Sequence, residues 1–546
     1  SVVYVDASHI NYAIRRRDME TGRTEEIAAG FGGAMSPRIS PDGKRLAFVR
    51  RVKDKTVLFV LDLATGEQRP VFDGLERDGQ ADFLGQGAYY PRFAWFPDSR
   101  HVAIWAGGKL HRIHMDTGAR ADIPFAATAR HRITEAPRFP HDLSPDSFTV
   151  RAIRQIAPSP DGRTILFHAL GRLWRKTLPD GAPERLTTSD AMEFEPAWSW
   201  DGKWIAYVEW SDERGGALKV MDAAGKRAET LVASRGILRQ PAFSPDGRSL
   251  VYKIEDGDKC IGGFGARPGI YVIPRAGGEG RFLMHGGDRP QFSPDGDRIY
   301  YRQEEWSAAG LTRHIRSMNR DGHDIREHAV SRGPDRSDLA ISPDLRWIAF
   351  KEYQQYHVMP YRETGRPIEI SATSGEVPVT RLTDLGGYDI TWTPDGALYW
   401  SLGDQIHGSR TGGGTGKLIA TAGLLAKSDR PAGVLALTNG RIITMRGEEV
   451  IEGGTLVVRG NRIAAVGAAA DVEIPSDARV IDLAGRTVMP GLVNMHGHLE
   501  DCYYTSSGLM AEKQPAHYAS LAFGVTTNYD PYGSELPSYA VSEMNR

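Results

Sequence analysis

A four-residue turn, Ser-Pro-Asp-Gly or a close variant, recurs eight times in this 546-residue chain and restricts its fold more than any other feature. It stands at Ser40 to Gly43, Phe96 to Ser99, Ser159 to Gly162, Ser199 to Gly202, Ser244 to Gly247, Ser293 to Gly296, Ser342 to Leu345 and Thr393 to Gly396. Successive second positions are 56, 63, 40, 45, 49, 49 and 51 residues apart. That is the period of a four-stranded propeller blade, with two longer insertions early in the series. The turn has its own chemistry: Pro presets φ at the second position, Asp accepts from nearby backbone amides, and Gly takes the left-handed conformation that ends the loop. A short β-branched and aromatic strand follows, as in Arg45-Leu-Ala-Phe-Val, Trp204-Ile-Ala-Tyr-Val and Trp347-Ile-Ala-Phe-Lys. A second hairpin then closes the unit, for example Leu58 to Pro70 around Ala64-Thr-Gly, so each unit predicts a four-stranded antiparallel sheet. Residues 1–30 hold one such second hairpin, Asn11 to Ile27, with no turn before it. This leading half blade implies inner strands upstream. Ser144-Pro-Asp-Ser stands outside the series because its spacing from Ser159 is wrong.

At the residues Ser-Pro-Asp-Gly-x-x-apolar-Ala-Phe the chain resembles the TolB-like propellers, a repeat type also found in front of prolyl oligopeptidases. The resemblance covers roughly residues 1–420 and implies a mainly β fold with about seven to eight blades' worth of repeats. It is silent on activity, because propellers serve as scaffolds, partner platforms and substrate gates alike. Composition agrees with a folded, non-membrane chain. Hydrophobic residues make up 40% and charged residues 25%, which suits large buried cores. Lys and Arg number 67 against 69 Asp and Glu, a net charge of -2, so no global field recruits nucleic acid or an anionic bilayer. No stretch reaches the roughly 18 apolar residues of a membrane-spanning helix. Two cysteines, Cys260 and Cys502, permit at most one bridge. The opening Ser1-Val-Val-Tyr-Val reads as a strand, without initiator Met or signal-peptide core, as expected of a mature or cut product.

After residue 420 the texture changes. Residues 421–433 read as a linker, and 434–490 as a small β-domain of short strands joined by Gly turns, a β-sandwich. The run Val488-Met-Pro-Gly-Leu-Val-Asn-Met-His-Gly-His then ends on two histidines. On a strand, side chains alternate faces, so His496 and His498 would point the same way and could chelate one divalent ion. Zinc is the default ion for nitrogen-rich hydrolytic sites.

A small β-domain, then Pro490-Gly491-Leu-Val, then His-Gly-His, resembles the amidohydrolase superfamily, most closely its imidazolonepropionase- and prolidase-like branch. Tyr518-Ala-Ser-Leu-Ala-Phe-Gly-Val-Thr-Thr continues the likeness as a helix leading to a second barrel strand. The resemblance implies that 491–546 begin a (β/α)8 barrel and that His496 and His498 are metal ligands. It also implies that the catalytic base and the remaining ligands lie beyond Arg546, since a complete barrel needs roughly 250 residues. Asn494 stands where the family usually has Asp. His517, in the helix before the second strand, reads as a surface or core histidine, and Asp530 as a turn cap before Pro531.

Other constellations read as structure. His111 and His114, three apart on a strand, face opposite ways and form no chelate. Arg130 to Arg132, Arg138 to Asp142 and the acidic segment 73–82 fall in the early insertions, as solvated loops or a lid. Trp198, Trp200, Trp204 and Trp210 fall on blade strands and read as core. No Gly-x-Ser-x-Gly elbow and no phosphate-cradling Gly-Lys-Ser/Thr loop is present.

The expectation is a metal-dependent hydrolase of amide, cyclic amide or peptide-like C–N bonds, with a propeller as scaffold or gate. Its cofactor is a divalent ion, Zn2+, and its substrate a small or peptide-like molecule, with a second chain or copy to complete the barrel. By resemblance it resides in the periplasm or outside the cell. The rivals are a non-enzymatic propeller scaffold and a prolyl-oligopeptidase-like serine peptidase, the latter without its elbow.

Overall fold

In the computed structural model of the chain, the recurring turns are locked by one set of bonds. The first-position hydroxyl donates to the Asp carboxylate at 2.5–2.7 Å in Ser40/Asp42, Ser159/Asp161, Ser199/Asp201, Ser244/Asp246, Ser293/Asp295, Ser342/Asp344 and Thr393/Asp395. The same hydroxyl accepts the N–H that opens the next strand, as from Thr164, Trp204 and Trp347. The fourth residue is left-handed, with φ of 66° at Gly247 and 81° at Gly396. Leu345 and Ser99 hold the same conformation at φ 57° and 54°, at a cost of about 1–2 kcal/mol each. The hydroxyl bonds keep the turn's shape at Leu345, and at Ser99, where Phe96 has no hydroxyl, Asp98 Oδ1 accepts the Arg100 and His101 amides at 2.8 and 3.1 Å.

The structure describes residues 1–6, 12–78, 90, 92–135, 142, 145–225, 227–258, 263–307, 310–332, 336–375, 377–410, 414–497, 513, 515–531 and 535–546. Contacts divide the chain into two units, Ser1–Phe139 and Pro140–Arg546. The first unit holds a three-stranded sheet (Val2–Asp6, Ala13–Arg17, Thr24–Ala28) and two four-stranded antiparallel sheets that contain the first two turns. Ile14, Ala34, Phe48 and Leu61 fill one sheet interface; Met35, Val49, Ile104 and Ile113 fill the next.

The second unit contains the other six turns. Its six four-stranded antiparallel blades span 154–185, 192–234, 238–284, 288–332, 336–381 and 388–421. A short parallel strand, Ile368–Glu369, adds to the outer edge of the fourth. These blades close into a ring of six, so the eight repeats do not share one seven- or eight-bladed circle. The ring is fastened by chain from both sides of it. Ser147–Thr149, ahead of the first blade, pairs antiparallel with Leu425–Lys427, after the last. Val150 N–H donates to the Leu424 carbonyl at 2.9 Å, and Arg430 pairs with Asp146 at 2.8 Å. Phe148, Val150, Ala422 and Leu424 are buried beneath this clasp. Within the stretch expected as a linker, Leu425–Lys427 forms one strand of this two-stranded clasp.

Beyond the ring, Val434–Ile443, Val450–Arg459, Arg462–Ala468, Ala478–Asp482 and Thr487–Val488 make a single mixed five-stranded sheet. This corrects the expected β-sandwich. Only Val434, Ala436, Val457 and Val472 form a buried core, and Ile463, Val480 and Ile481 are exposed, so among the described residues no second sheet faces the first. The strand Leu492–Asn494 then pairs parallel with Val525–Asn528 through helix α1 (Pro515–Ala522). A parallel pair needs such a crossover. Among the described residues no (β/α)8 barrel is formed. Helix α2 (Glu535–Met544) buries Ala540 and Val541 against Met192, Phe194, Trp210 and Leu238 on the ring. No helix among the described residues is long and apolar enough to cross a membrane.

Candidate functional site

Each inner strand of the ring carries a bulge. At each bulge one non-glycine residue has φ between 48° and 55°: Gln155, Glu195, Gln240, Arg289, Asp338 and Asp389. Each lies four positions before the Ser or Thr of its turn. A bulge re-aims its side chain and leaves ladder groups unpaired, and here the neighbouring blade takes them up. Gln155 N–H donates to Asp389 Oδ2 at 2.8 Å, Glu195 N–H to Gln155 Oε1 at 2.9 Å, Gln240 N–H to Glu195 Oε2 at 2.6 Å and Arg289 N–H to Gln240 Oε1 at 2.6 Å. Arg289 Nη2 donates to Asp338 Oδ1 at 2.8 Å, and Lys351 Nζ to the Gly387 carbonyl at 3.0 Å. All six blade junctions are thereby bridged, including the one that closes the circle.

Inside these bridges lies a cavity of about 600 Å³ lined by the inner strands of all six blades. A recess of about 230 Å³ adjoins it, sharing Gln240, Arg289, Arg302 and Trp392 with it. The charges in its wall are paired. Arg154 grips Asp389 at 2.6 and 3.2 Å, Arg239 grips Glu195 at 3.0 and 2.5 Å, and Arg302 grips Asp288 at 2.8 and 2.5 Å. Burial alone would raise the Asp389 carboxyl, but the Arg154 guanidinium and the Gln155 amide outweigh it and hold it below the usual carboxylate range. Burial is likewise opposed at Asp288 by Arg302 and at Asp338 by Arg289, and both are held low. Such bidentate pairs are strong and directional. They rigidify the wall and leave little charge for a ligand.

The residues singled out in the sequence are distributed differently. The strand that precedes His496 ends at Asn494, so His496 lies in the turn beyond it, exposed, and strand alternation does not orient it. His498 lies outside the described residues, as do Cys260 and Cys502. Asn494 Oδ1 accepts the His496 N–H at 3.1 Å. A Cβ on Gly497 would meet the Asn494 amide at 2.7 Å, which explains the glycine. His517, on α1, is half-buried and held low by burial, with Asn545 Nδ2 3.5 Å from its Nδ1. Asp530 sits just past the second parallel strand. Among the described residues no three His, Cys, Asp or Glu side chains converge to hold a metal ion. The described donors thus do not make up a metal centre by themselves.

Elsewhere, His111 is buried with Nδ1 2.9 Å from Asp122 and Nε2 3.0 Å from the Ala106 carbonyl, whereas His114 stacks edge-on against His101. They form no chelate. Trp210 is buried and Trp204 lies under the Arg275 guanidinium, as core residues do. Trp198 packs against a core cluster, as expected, and also lines the cavity, whereas Trp200, expected in the core, lines the cavity from the turn. The ring residues at the bulges escaped notice in the sequence. Their signal was a polar residue four positions before every turn.

No protein-family model matches this chain. An 84-residue segment is 43% identical to the imidazolonepropionase of Symbiobacterium thermophilum, covering 13% of this chain and 20% of that protein. A 91-residue segment is 37% identical to the adenine deaminase of Rubrobacter xylanophilus, covering 17% and 14%. A 70-residue segment is 37% identical to the Tol-Pal system protein TolB of Chromobacterium violaceum, covering 13% and 16%. The matched segments thus span a fifth or less of each of these relatives. Among solved structures, the tricorn protease aligns with 84% of this chain and 46% of its own at 12% identity and a TM-score of 0.30, too loose a superposition to carry an argument. The chain is mainly β, with TolB-like propeller blades and a partial likeness to amidohydrolases over short segments.

Proposed function

We propose that this chain is part of a C–N bond hydrolase of the amidohydrolase kind, whose propeller serves as scaffold and substrate gate. The observation that carries the reading is the parallel pair Leu492–Asn494 and Val525–Asn528 joined through α1, with His496 just past the carboxyl end of its first strand. That end is where (β/α)8 enzymes place their chemistry. The segments similar to imidazolonepropionase and adenine deaminase support it. In this reading His496 and His498 are ligands of a divalent ion, zinc, and the other donors come from residues that the described set does not include. The substrate class is a cyclic amide, amidine or peptide-like C–N bond, and the compartment is the periplasm or beyond.

The full-length protein tests this directly. Metal analysis is expected to find stoichiometric zinc, and ammonia release from adenine or hydrolysis of imidazolonepropionate should be lost in His496→Ala and His498→Ala. Metal-free, inert protein would instead support a second reading, a non-enzymatic propeller scaffold. Cell fractionation checks the compartment.

A further inference from the structure

Two positions at which the six-bladed ring departs from its own repeat both face the central cavity. At the second turn position the blades carry Pro160, Trp200, Pro245, Pro294, Pro343 and Pro394. The turn does not require the tryptophan. Ser199 Oγ still donates to Asp201 at 2.7 Å, Gly202 N–H still reaches the Ser199 carbonyl at 2.9 Å, and Gly202 keeps φ 70°. Proline would preset this turn better. The exchange therefore gives up turn preorganisation and puts a flat indole on the cavity wall beside Trp198, Pro160 and Pro394.

The second departure is Arg289. The other bulge positions carry Gln, Glu or Asp, all acceptors, and the relay around the ring uses Gln155, Glu195, Gln240 and Asp389 to accept a neighbour's N–H. A guanidinium accepts nothing. Arg289 gives one N–H to Asp338 Oδ1 and keeps others without a partner among the described residues. It lines both the cavity and the recess.

Two more donors in the same walls are unsatisfied. Trp392 Nε1 and the Tyr301 hydroxyl are buried with no hydrogen-bond partner among the described residues, and Tyr301 is only 2% exposed. Trp392 lines cavity and recess, and Tyr301 lines the recess. Unpaired buried donors are rare in native proteins and call for an explanation. The equivalent indole of Trp198 is satisfied by the Ala157 carbonyl of the adjacent blade, so the position itself does not force the deficit.

We propose that the central cavity binds a small planar ring compound bearing carbonyl or carboxylate oxygens, with the ring against Trp200 and its oxygens accepting from Arg289 and Trp392 Nε1, and from Tyr301 where they enter the recess. The chemistry follows from what the wall has left over. Its carboxylates are consumed by Arg154, Arg239 and Arg302, so the remaining capacity is one aromatic face plus donors. Stacked rings gain from an indole face, and acceptor oxygens relieve the unpaired donors. A cavity of about 600 Å³ lies within the usual range for small-molecule sites. The site stands apart from the hydrolase reading and holds whether or not the chain has catalytic activity.

Isothermal titration of the intact chain with hippurate, a phenyl ring carrying an amide carbonyl and a carboxylate, tests the assignment. Saturable binding in the millimolar range is expected, weakened about tenfold or more in Trp200→Pro and in Arg289→Gln. Trp200→Pro restores the proline of the other blades, so its melting temperature should equal or exceed the parent's; Arg289→Gln gives up the pair with Asp338 and should melt lower while remaining folded, which circular dichroism checks. The cyclohexyl analogue of hippurate should also bind about tenfold more weakly. No saturation by about 10 mM hippurate overturns the proposal. Unchanged affinity in both variants, or equal affinity for the cyclohexyl analogue, also overturns it. So does tight binding of an extended peptide without rings that hippurate fails to displace, which would make the cavity a peptide site.

Discussion

Replacing Asp389 by Ala removes the fastener between the last blade and the first. The carboxylate receives two N–H groups of Arg154 at 2.6 and 3.2 Å and the backbone N–H of Gln155 at 2.8 Å. Both side chains are more than four-fifths buried, so solvent does little to screen them. Removing one member of a buried pair costs about 3–5 kcal/mol, because the surviving charge is left uncompensated. The orphaned Gln155 amide adds about 1 kcal/mol or more. The adjoining cavity can admit water to both groups, so the low end applies, and about 3–4 kcal/mol is expected. That is a large share of the roughly 5–15 kcal/mol that holds a typical domain together. Urea unfolding followed by tryptophan fluorescence suits the measurement, since all but Trp95 and Trp105 of the 11 tryptophans lie in the second unit. The double variant Arg154→Leu/Asp389→Leu removes the charge problem, so it should recover most of the loss. A loss below about 1 kcal/mol in Asp389→Ala, the worth of an exposed pair, would refute the argument. A double variant as unstable as the single one would refute it too.

Three further outcomes are expected. His168 stacks on Phe194 at 4.9 Å, its Nε2 has no partner among the described residues, and burial pushes it down to about 3. The unfolded chain, with a histidine near 6.5, takes the proton first between those values, so stability falls as pH drops from about 6.5 to 3. His168→Phe should flatten that slope in urea midpoints read at neutral and acid pH, and a slope as steep as the parent's would contradict it. Val541, which α2 buries against the ring, should on mutation to Asp release the helix, which limited proteolysis would register as faster cleavage near the C-terminus with an unchanged ring transition. A Cβ at Gly491 would lie 2.1 Å from Thr526 Oγ1. Gly491→Ala should therefore speed hydrogen exchange at the Leu492 and Tyr529 amides, which bond across the parallel pair, while amides of the ring keep their protection.

The blades were legible in the sequence because the turn carries its own chemistry, and Ser, Asp and Gly at fixed offsets specify it without help from the rest of the fold. The number of blades in the ring was not legible. Closure depends on Arg154 meeting Asp389 and on residues 147–149 meeting 425–427, contacts between distant parts of the chain that leave no local signature. The 63-residue spacing between the second and third turns was the one hint, since the boundary at residue 139 falls inside it. Trp200 was misjudged for another reason. It was read as a strand residue, whereas the strand ends at Trp198 and Trp200 occupies the second position of the turn, where strand alternation does not apply. At the C-terminal module the motif was legible as a string, and its orientation was not, because the strand stops at Asn494 before the histidine.

The clasp also sets an order of events during synthesis. Its partners are separated by 427 − 147 = 280 positions, and closing a loop that long costs about 5 kcal/mol in chain entropy. That cost can be recovered only after the intervening blades have formed and shortened the effective path between the ends. Until Lys427 has left the ribosome Ser147–Thr149 lacks its partner strand, and an unpaired strand invites pairing with another chain. A nascent chain stalled between the last turn, Thr393–Gly396, and the clasp therefore carries Ser147–Thr149 unpaired, held in reserve until the strand that receives it has been made.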